Sequence, residues 1–493
     1  MTWREYHEST KHSLESLRQA SHVLDWANMP DPFRHYEGVP VLDLPVDPPS
    51  PDTSALEVLN GASGDTSAAD GSTFLSQLLF YSASISSSKR VPSTGDRYAL
   101  RVNPSSGNLH PTEFHFLTRG LKDWPDGLYH YRPSAHMAEQ RALDDSEMKL
   151  AGSSAPIAFV LTTIAWREAW KYGDRAYRYC LHDIGHAWQS LALAARGIGC
   201  HSFAVGHFPD EKIAQFFRLH NDEWPMLIIE LRGGSIPTRK PDATNAVWYG
   251  GQANQLSKEI TAYPRIDGIH NATKLNHRGS RGISSTEQAP MGAGEIKLPP
   301  PASSLRAFGE VARMRRSALD FLGGMQSMSL TQLSAILAVA TQPLFADFAG
   351  ARFIQLYLYA HRVGGLQPGV YRLWPERAEL EQIMRGDQRV AAAGLSLGQD
   401  LAGNACVAFS MIGDLERAAH THGDRGYRYV HFEAGAIGQR LYLAAEAFGL
   451  GATGIGAFYD EEVYRYLNLA PKQGQVVYHF AIGYPVPDSR LEA

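Results

Sequence analysis

The sequence predicts an α+β protein in which two copies of one unit are fused. Three observations carry that expectation: a motif repeated at a fixed offset, the same order of helix and strand in both copies, and a loose stretch between them. Gly173-Asp174-Arg175-Ala176-Tyr177-Arg178-Tyr179 recurs as Gly423-Asp424-Arg425-Gly426-Tyr427-Arg428-Tyr429, 250 residues further on. The same offset pairs Gly185 with Gly435, Gln189 with Gln439, Gly199 with Gly449, Gly206 with Gly456, and Asp210-Glu211 with Asp460-Glu461. A gapless match over roughly forty residues marks a duplicated unit.

Each copy reads alike. Leu181, Ile184, Trp188, Leu191 and Ala195 recur at three- and four-residue spacing, which predicts a helix from about Tyr177 to Arg196, closed by Gly197 and Gly199. A short apolar strand, His201 to Val205, precedes an acidic helix start at Asp210-Glu211. Pro225 to Glu230 and Val476 to Phe480 are the expected last strands of the copies, and Glu113 to Leu117 and Ile354 to Leu358 alternate as strands.

Between the copies, residues 233–303 are rich in Gly, Pro, Ser and Asn and are expected to be a linker. Residues 1–70 comprise an N-terminal arm and a second loose stretch, in which Trp26, Phe33 and Tyr36 among prolines suggest a segment that wraps rather than a domain. The two units then occupy 71–232 and 304–493.

At 493 residues the chain exceeds one ordinary core, given about 150 residues per domain. An apolar content of 44% and a charged content of 20% are those of a globular protein. A net charge of −5 gives no basic surface for nucleic acid. No apolar run reaches membrane-helix length and the N-terminus is too polar for a signal peptide, so a cytoplasmic location without a membrane anchor is expected. Cys180, Cys200 and Cys406 form no CxxC pair and supply neither a disulfide framework nor a thiolate metal site.

Three stretches could carry chemistry. The loop around Pro104, Ser105, Ser106 and Asn108 offers hydroxyls, an amide and backbone N–H groups to the polar edge of a planar heterocycle, although a plain turn has the same composition. Arg315, Arg316 and Ser317 put two guanidinium forks and a hydroxyl in three positions, which suits a phosphate monoester and equally a solvated basic turn. Lys171 and Tyr172 could serve as base and hydrogen-bond donor; taken alone, an exposed lysine beside a packed tyrosine is the plainer account.

Two other signals are set aside. His182-Asp183-Ile184-Gly185-His186 imitates a two-histidine zinc helix, but Asp replaces the required Glu and the other copy has Phe432 and Ala436, so no metal is expected. Gly449-Leu450-Gly451-Ala452-Thr453-Gly454 satisfies GxGxxG yet follows a helix and precedes a strand, the reverse of the dinucleotide-binding order.

Together the Arg-x-x-Pro-Ser-Ser-Gly loop at 101–107, the Lys-Tyr-Gly-Asp-Arg-x-Tyr-Arg-Tyr run at 171–179 and the Gly-rich segment at 449–458 resemble the nitroreductase superfamily. The resemblance is strongest to its azoline dehydrogenases of the SagB and ThcOx type, and it covers nearly the whole chain. It implies two nitroreductase-like domains paired as a pseudo-dimer, each a mixed, mainly antiparallel sheet surrounded by helices, with FMN between them.

Carried over residue by residue, it implies Arg315, Arg316 and Ser317 on the phosphate, and Pro104, Ser105, Ser106 and Asn108 on the flavin from the other half. The backbone of Gly456 and Ala457 would lie near N5, and Lys171 and Tyr172 would be catalytic. The phosphate turn occurs only in the second copy and the Pro-Ser-Ser loop only in the first, which implies one complete site per chain and a degenerate mirror site. Leu319 stands where many relatives have a basic residue; Arg490 is a candidate substitute.

The implied activity is FMN-dependent oxidation of an azoline-type heterocycle in a modified peptide or a related small substrate, with a cyclodehydratase as candidate partner and further dimerisation left open. The alternatives are an NAD(P)H-dependent nitro or quinone reductase and a non-catalytic flavin-bearing partner in a peptide-modifying complex.

Overall fold

The computed structural model describes residues 1–19, 22–65, 68–92, 94–143, 153–241, 246–277, 292–349, 352–470 and 473–492. The first half is built on a sheet ordered Val247–Trp248, Met137–Leu143, Gly127–Arg132, Thr112–Thr118, Ile157–Thr163, Trp224–Arg232, His201–Val205, with Val41–Asp43 also pairing Met137–Leu143. The second repeats it as Ile296–Lys297, Glu379–Arg385, Gly369–Trp374, Ile354–Ala360, Val407–Gly413, Gln475–Gly483, Gly451–Ile455. Neighbours within these sheets run antiparallel. Parallel pairing enters at the edges, in the bridges Ala204 to Ala346 and Ser317 to Ala452.

The central strands Ile157–Thr163 and Val407–Gly413 are buried at every position, as strands covered on both faces must be. Thr112–Thr118 is also wholly buried, so its alternation does not separate core from solvent. Its polar residues enter a buried ionic network instead: Glu113 pairs with Arg167 at 2.5 Å, and His115 with Glu223 at 2.6 Å. The N-terminal arm roofs this face, where Arg34 donates to Asp222 and the Tyr36 hydroxyl to Glu223.

The repeated motif explains how the halves join. Its helices, Ala176–Gly197 and Gly426–Ala447, cross backbone to backbone at Gly185 and Gly435. A Cβ at Gly185 would stand 2.3 Å from the Phe432 carbonyl oxygen, and one at Gly435 would stand 2.2 Å from that of His182. The arginines of each copy bind the aspartate of the other: Arg175 and Arg178 hold Asp460 at 3.0 and 2.9 Å, and Arg425 and Arg428 hold Asp210 at 2.6 and 2.8 Å. All six side chains are buried, so each ion pair depends on its partner to offset desolvation.

The arm takes part in this exchange. Its first helix, Trp3–Ser9, starts with a Thr2–Glu5 capping box, and Arg178 donates to the carbonyl of His7 and the hydroxyl of Thr10. Within the stretch expected as linker, helix Pro264–Thr273 does the same for the other copy: Arg428 donates to the His270 carbonyl and the Thr273 hydroxyl. His7, Thr10 and Lys11 thus correspond to His270, Thr273 and Lys274, so each half carries its own strap.

Candidate active site

Helix Ala165–Tyr172 ends at Gly173, whose φ of 56° lets the chain turn sharply into the repeated motif. Lys171 and Tyr172 therefore sit at a fixed corner. The loop that follows strand Arg97–Arg101 is drawn onto them at Gly107: a Cβ there would lie 2.6 Å from Tyr172 Oη and 3.0 Å from Lys171 Nζ. Both polar heads thus meet the loop at one point, and the ammonium lies 5.2 Å from the Tyr172 ring centre.

A cavity of about 610 Å³ opens at this corner. Its wall takes Pro104, Ser105, Ser106, Asn108 and Tyr172 from the first half and Arg315, Arg316, Ser317, Gly456 and Ala457 from the second. Lys171 stands behind that wall, next to Gly107. A second cavity of about 620 Å³ continues past Arg316 and Ser317, under the C-terminal segment.

Several expected ligands are held differently from the simple expectation. The hydroxyls of Ser105 and Ser106 are turned inward: Ser105 Oγ donates to Asp183 at 2.6 Å, Ser106 Oγ at 2.9 Å, and the Ser106 amide at 3.1 Å. Burial pushes the Asp183 carboxyl up to about 7 against the pull of these bonds. Asn108 spends its amide on the Ala99 carbonyl. Arg316 donates to the carbonyls of Arg313, Arg315 and Ser86. Ser317 Oγ lies 2.9 Å from Tyr442 Oη.

Arg315 is divided. Two of its nitrogens donate to the carbonyls of Arg101 and Val102, tying the turn to the other half's loop, while Nη1 is buried with no hydrogen-bond partner among the described residues. Asn103 Oδ1 and His110 Nδ1, on the same wall, are also buried with no hydrogen-bond partner among the described residues. Unsatisfied buried donors and acceptors of this kind fit a ligand with a polar edge and an anionic tail. Arg490 is engaged with Asp488 at 2.9 Å and does not line the cavity; Lys89, itself 2.8 Å from Asp488, reaches the wall near Leu319 instead.

Gly456 is positioned from behind. Its carbonyl accepts from Tyr179 Oη at 3.1 Å and from Arg175 Nη2 at 3.4 Å, and a Cβ there would fall 1.9 Å from the Tyr179 ring. Tyr172 packs on that same ring, with centroids 4.4 Å apart. Burial, then the neighbouring Glu168, push the Tyr172 phenol well above its usual range, which keeps it a hydrogen-bond donor.

The mirror position is filled. Phe348 stacks on Tyr429, the counterpart of Tyr179, at 4.1 Å and 8°. Asp347 accepts from the amides of Gly206 and His207, the counterparts of Gly456 and Ala457, at 2.7 and 3.2 Å. An aromatic ring and a carboxylate of the chain itself thus occupy the place that is open in the other site.

Sequence reasoning treated Asp183 only as part of a decoy, and passed over Glu168, Asn103 and Lys89. Of the two histidines in that stretch, His182 stacks on Tyr478 at 4.2 Å with neither ring nitrogen hydrogen-bonded among the described residues, and His186 lies between Gln439 and the Tyr478 hydroxyl. Among the described residues, no helix is long and apolar enough to cross a membrane.

The sequence pattern of the nitroreductase family matches residues 97–233 and 312–484, one stretch in each half. The chain belongs to the nitroreductase family. It is similar to a protein of Methanocaldococcus jannaschii named as a nitroreductase, 35% identical over 122 residues, which are 24% of this chain. The match spans 62% of that relative's own length. A crystal structure of a protein from Anabaena variabilis, also named as a nitroreductase, superposes with a TM-score of 0.78 at 26% identity. The alignment covers 98% of this chain and 99% of that one. The E. coli microcin synthetase McbBCD complex aligns with 45% of the chain and 90% of its own, at 21% identity and a TM-score of 0.29. Family membership makes this protein an oxidoreductase with two nitroreductase-like regions in one chain.

Proposed function

We propose that this nitroreductase-family protein is an FMN-dependent dehydrogenase of the SagB and ThcOx type, holding one FMN per chain and oxidising azoline-type rings in a modified peptide or a related small substrate. The observation that carries the reading is the asymmetry between the halves. Tyr172 lines the open cavity with Lys171 just behind its wall at Gly107, whereas Thr421 and His422 stand at the filled mirror position, where His422 packs against Tyr429 and Phe353.

In this reading Arg315 Nη1, with the charge of Arg316 and the hydroxyl of Ser317, holds the phosphate. Asn103, His110 and the 104–108 backbone meet the polar edge of the ring system, and the Gly456 and Ala457 backbone lies across from them. FMN, when bound, supplies the two-electron acceptor. Lys171 Nζ takes the proton released from the substrate carbon, and Tyr172 Oη donates a hydrogen bond to the substrate ring nitrogen. Both heads are held at Gly107, so the pair is oriented before substrate arrives. A cyclodehydratase partner, which would make the azoline, follows from the same reading.

The test is steady-state turnover of an azoline-containing peptide beside that of a nitroarene with NADPH. The reading expects azoline oxidation that depends on Lys171 and Tyr172. Robust nitro reduction indifferent to both residues, without azoline oxidation, would replace it with the reductase alternative.

A further inference from the structure

One buried acid in the first half has no place in the mechanism above. Glu168 lies one turn before Lys171 and Tyr172 on helix Ala165–Tyr172, at i+3 and i+4, so the three share a face. It is fully buried, and neither carboxylate oxygen has a hydrogen-bond partner among the described residues. An ionised carboxylate so placed would lose its hydration with nothing in return, so the group is held as the neutral acid.

Burial and then Asp183, on the adjoining long helix, push its carboxyl up, and Lys171 on its own helix pulls it down, while Glu168 in turn raises Tyr172 and Cys180. Asp183 has three donors from Ser105 and Ser106, so in this pair of acids the negative charge belongs on Asp183 and the proton on Glu168.

The repeat supplies an internal control. Helix Leu415–His422 is the second copy of this helix, and its residue at the position of Glu168 is Ala418, also fully buried. The protein therefore packs this position with a methyl group in the half whose mirror position Phe348 and Asp347 fill, and with an acid that has no hydrogen-bond partner among the described residues where Lys171 and Tyr172 stand. A purely structural role gives no reason for that difference.

We propose that Glu168 is a positioning residue that carries the proton for the Lys171–Tyr172 pair. This rests on the dehydrogenase reading for its substrate, though not for its protonation state. Neither Glu168 oxygen is within hydrogen-bond distance of Lys171 Nζ or Tyr172 Oη in the structure, so the transfer requires these side chains to rotate into contact across their shared helix face: when Tyr172 has lost its proton, the Glu168 O–H bond breaks and the Tyr172 O–H bond re-forms, leaving the Glu168 carboxylate. In the other direction a proton that Lys171 has taken from substrate passes to that carboxylate, restoring the acid. No electrons move in either step.

The experiment has two arms, run on FMN-loaded wild type, Glu168→Gln and Glu168→Ala; Ala418 shows that this helix accepts alanine. In the infrared spectrum above neutral pH, the wild type is expected to show a carboxylic-acid carbonyl band that shifts in D₂O and is missing from Glu168→Gln. Turnover of the azoline peptide is expected to fall about 10²-fold in Glu168→Gln, the lower end for proton-transfer groups, with KM and the FMN dissociation constant unchanged. A band absent from wild type or persisting in Glu168→Gln, or wild-type turnover in that variant, overturns the proposal. If the wild type oxidises no azoline, the substrate reading falls, and the infrared arm still decides for or against Glu168.

Discussion

Phe348 lies flat on Tyr429, with ring centroids 4.1 Å apart and planes 8° from parallel, while Tyr179, the counterpart of Tyr429, faces the open cavity. One sequence motif, copied twice, thus yields one tyrosine stacked under Phe348 and one that packs on Tyr172 and lines the open cavity. Asp347 completes the plug by accepting from the amides of Gly206 and His207. Charge-assisted bonds to two amides and a stacked ring make this a filled site, not merely an eroded one.

Arg315 is expected to matter to the cofactor, and Arg425 to the fold. Arg315→Ala should weaken FMN binding by about 1.5–3 kcal/mol, the range for a hydrogen bond to a charged group, and should change riboflavin binding far less. Arg425→Ala removes a guanidinium buried against Asp210 and should lower unfolding free energy with little change in FMN affinity. Fluorescence titration and urea unfolding separate the two. Equal FMN dissociation constants for wild type and Arg315→Ala would remove Arg315 from the phosphate.

Asp460 and Asp210 each neutralise two buried arginines, so Asp460→Ala and Asp210→Ala should each destabilise by about 3–5 kcal/mol. Arg175 also bonds Gly456, so only Asp460→Ala should weaken FMN binding as well. Similar losses of FMN affinity in both variants would contradict the assignment of the open site to Gly456.

Asp183 predicts a pH dependence of stability. The folded carboxyl keeps its proton up to about 7, whereas an unfolded aspartate releases it near about 3.9. The native state therefore holds more protons across that window, and stability falls as pH rises through it. Asp183→Asn should flatten this fall in melting temperature between those values. An unchanged pH profile in Asp183→Asn would show that the charge is not where the structure places it.

Lys171→Ala should retain FMN and still be reduced by dithionite, since neither step takes a proton from carbon. Azoline turnover should drop by roughly 10²–10⁴-fold. Unimpaired azoline oxidation in this variant would remove Lys171 as the base.

Much of this was legible in the sequence because the 250-residue offset preserves the helix, the crossing glycines and the arginine–aspartate exchange without a gap. The straps were missed because His7-Thr10-Lys11 and His270-Thr273-Lys274 stand at a different offset, inside segments whose composition reads as loose. Asp183 and the serines were read separately, since nothing local announces a bond between residues 78 apart. Glu168 carries no motif at all, and its interest comes from burial without a partner, which only packing reveals. The Asp347–Phe348 plug likewise depends on contacts across the two halves.

The central claim is that two copies build one flavin site. Purified protein saturated with FMN and freed of excess should, on heat release of the flavin, give one FMN per chain. Two per chain would mean that Phe348 and Asp347 leave the mirror position when flavin is offered, and none would mean that the open cavity serves another ligand; either result contradicts the account.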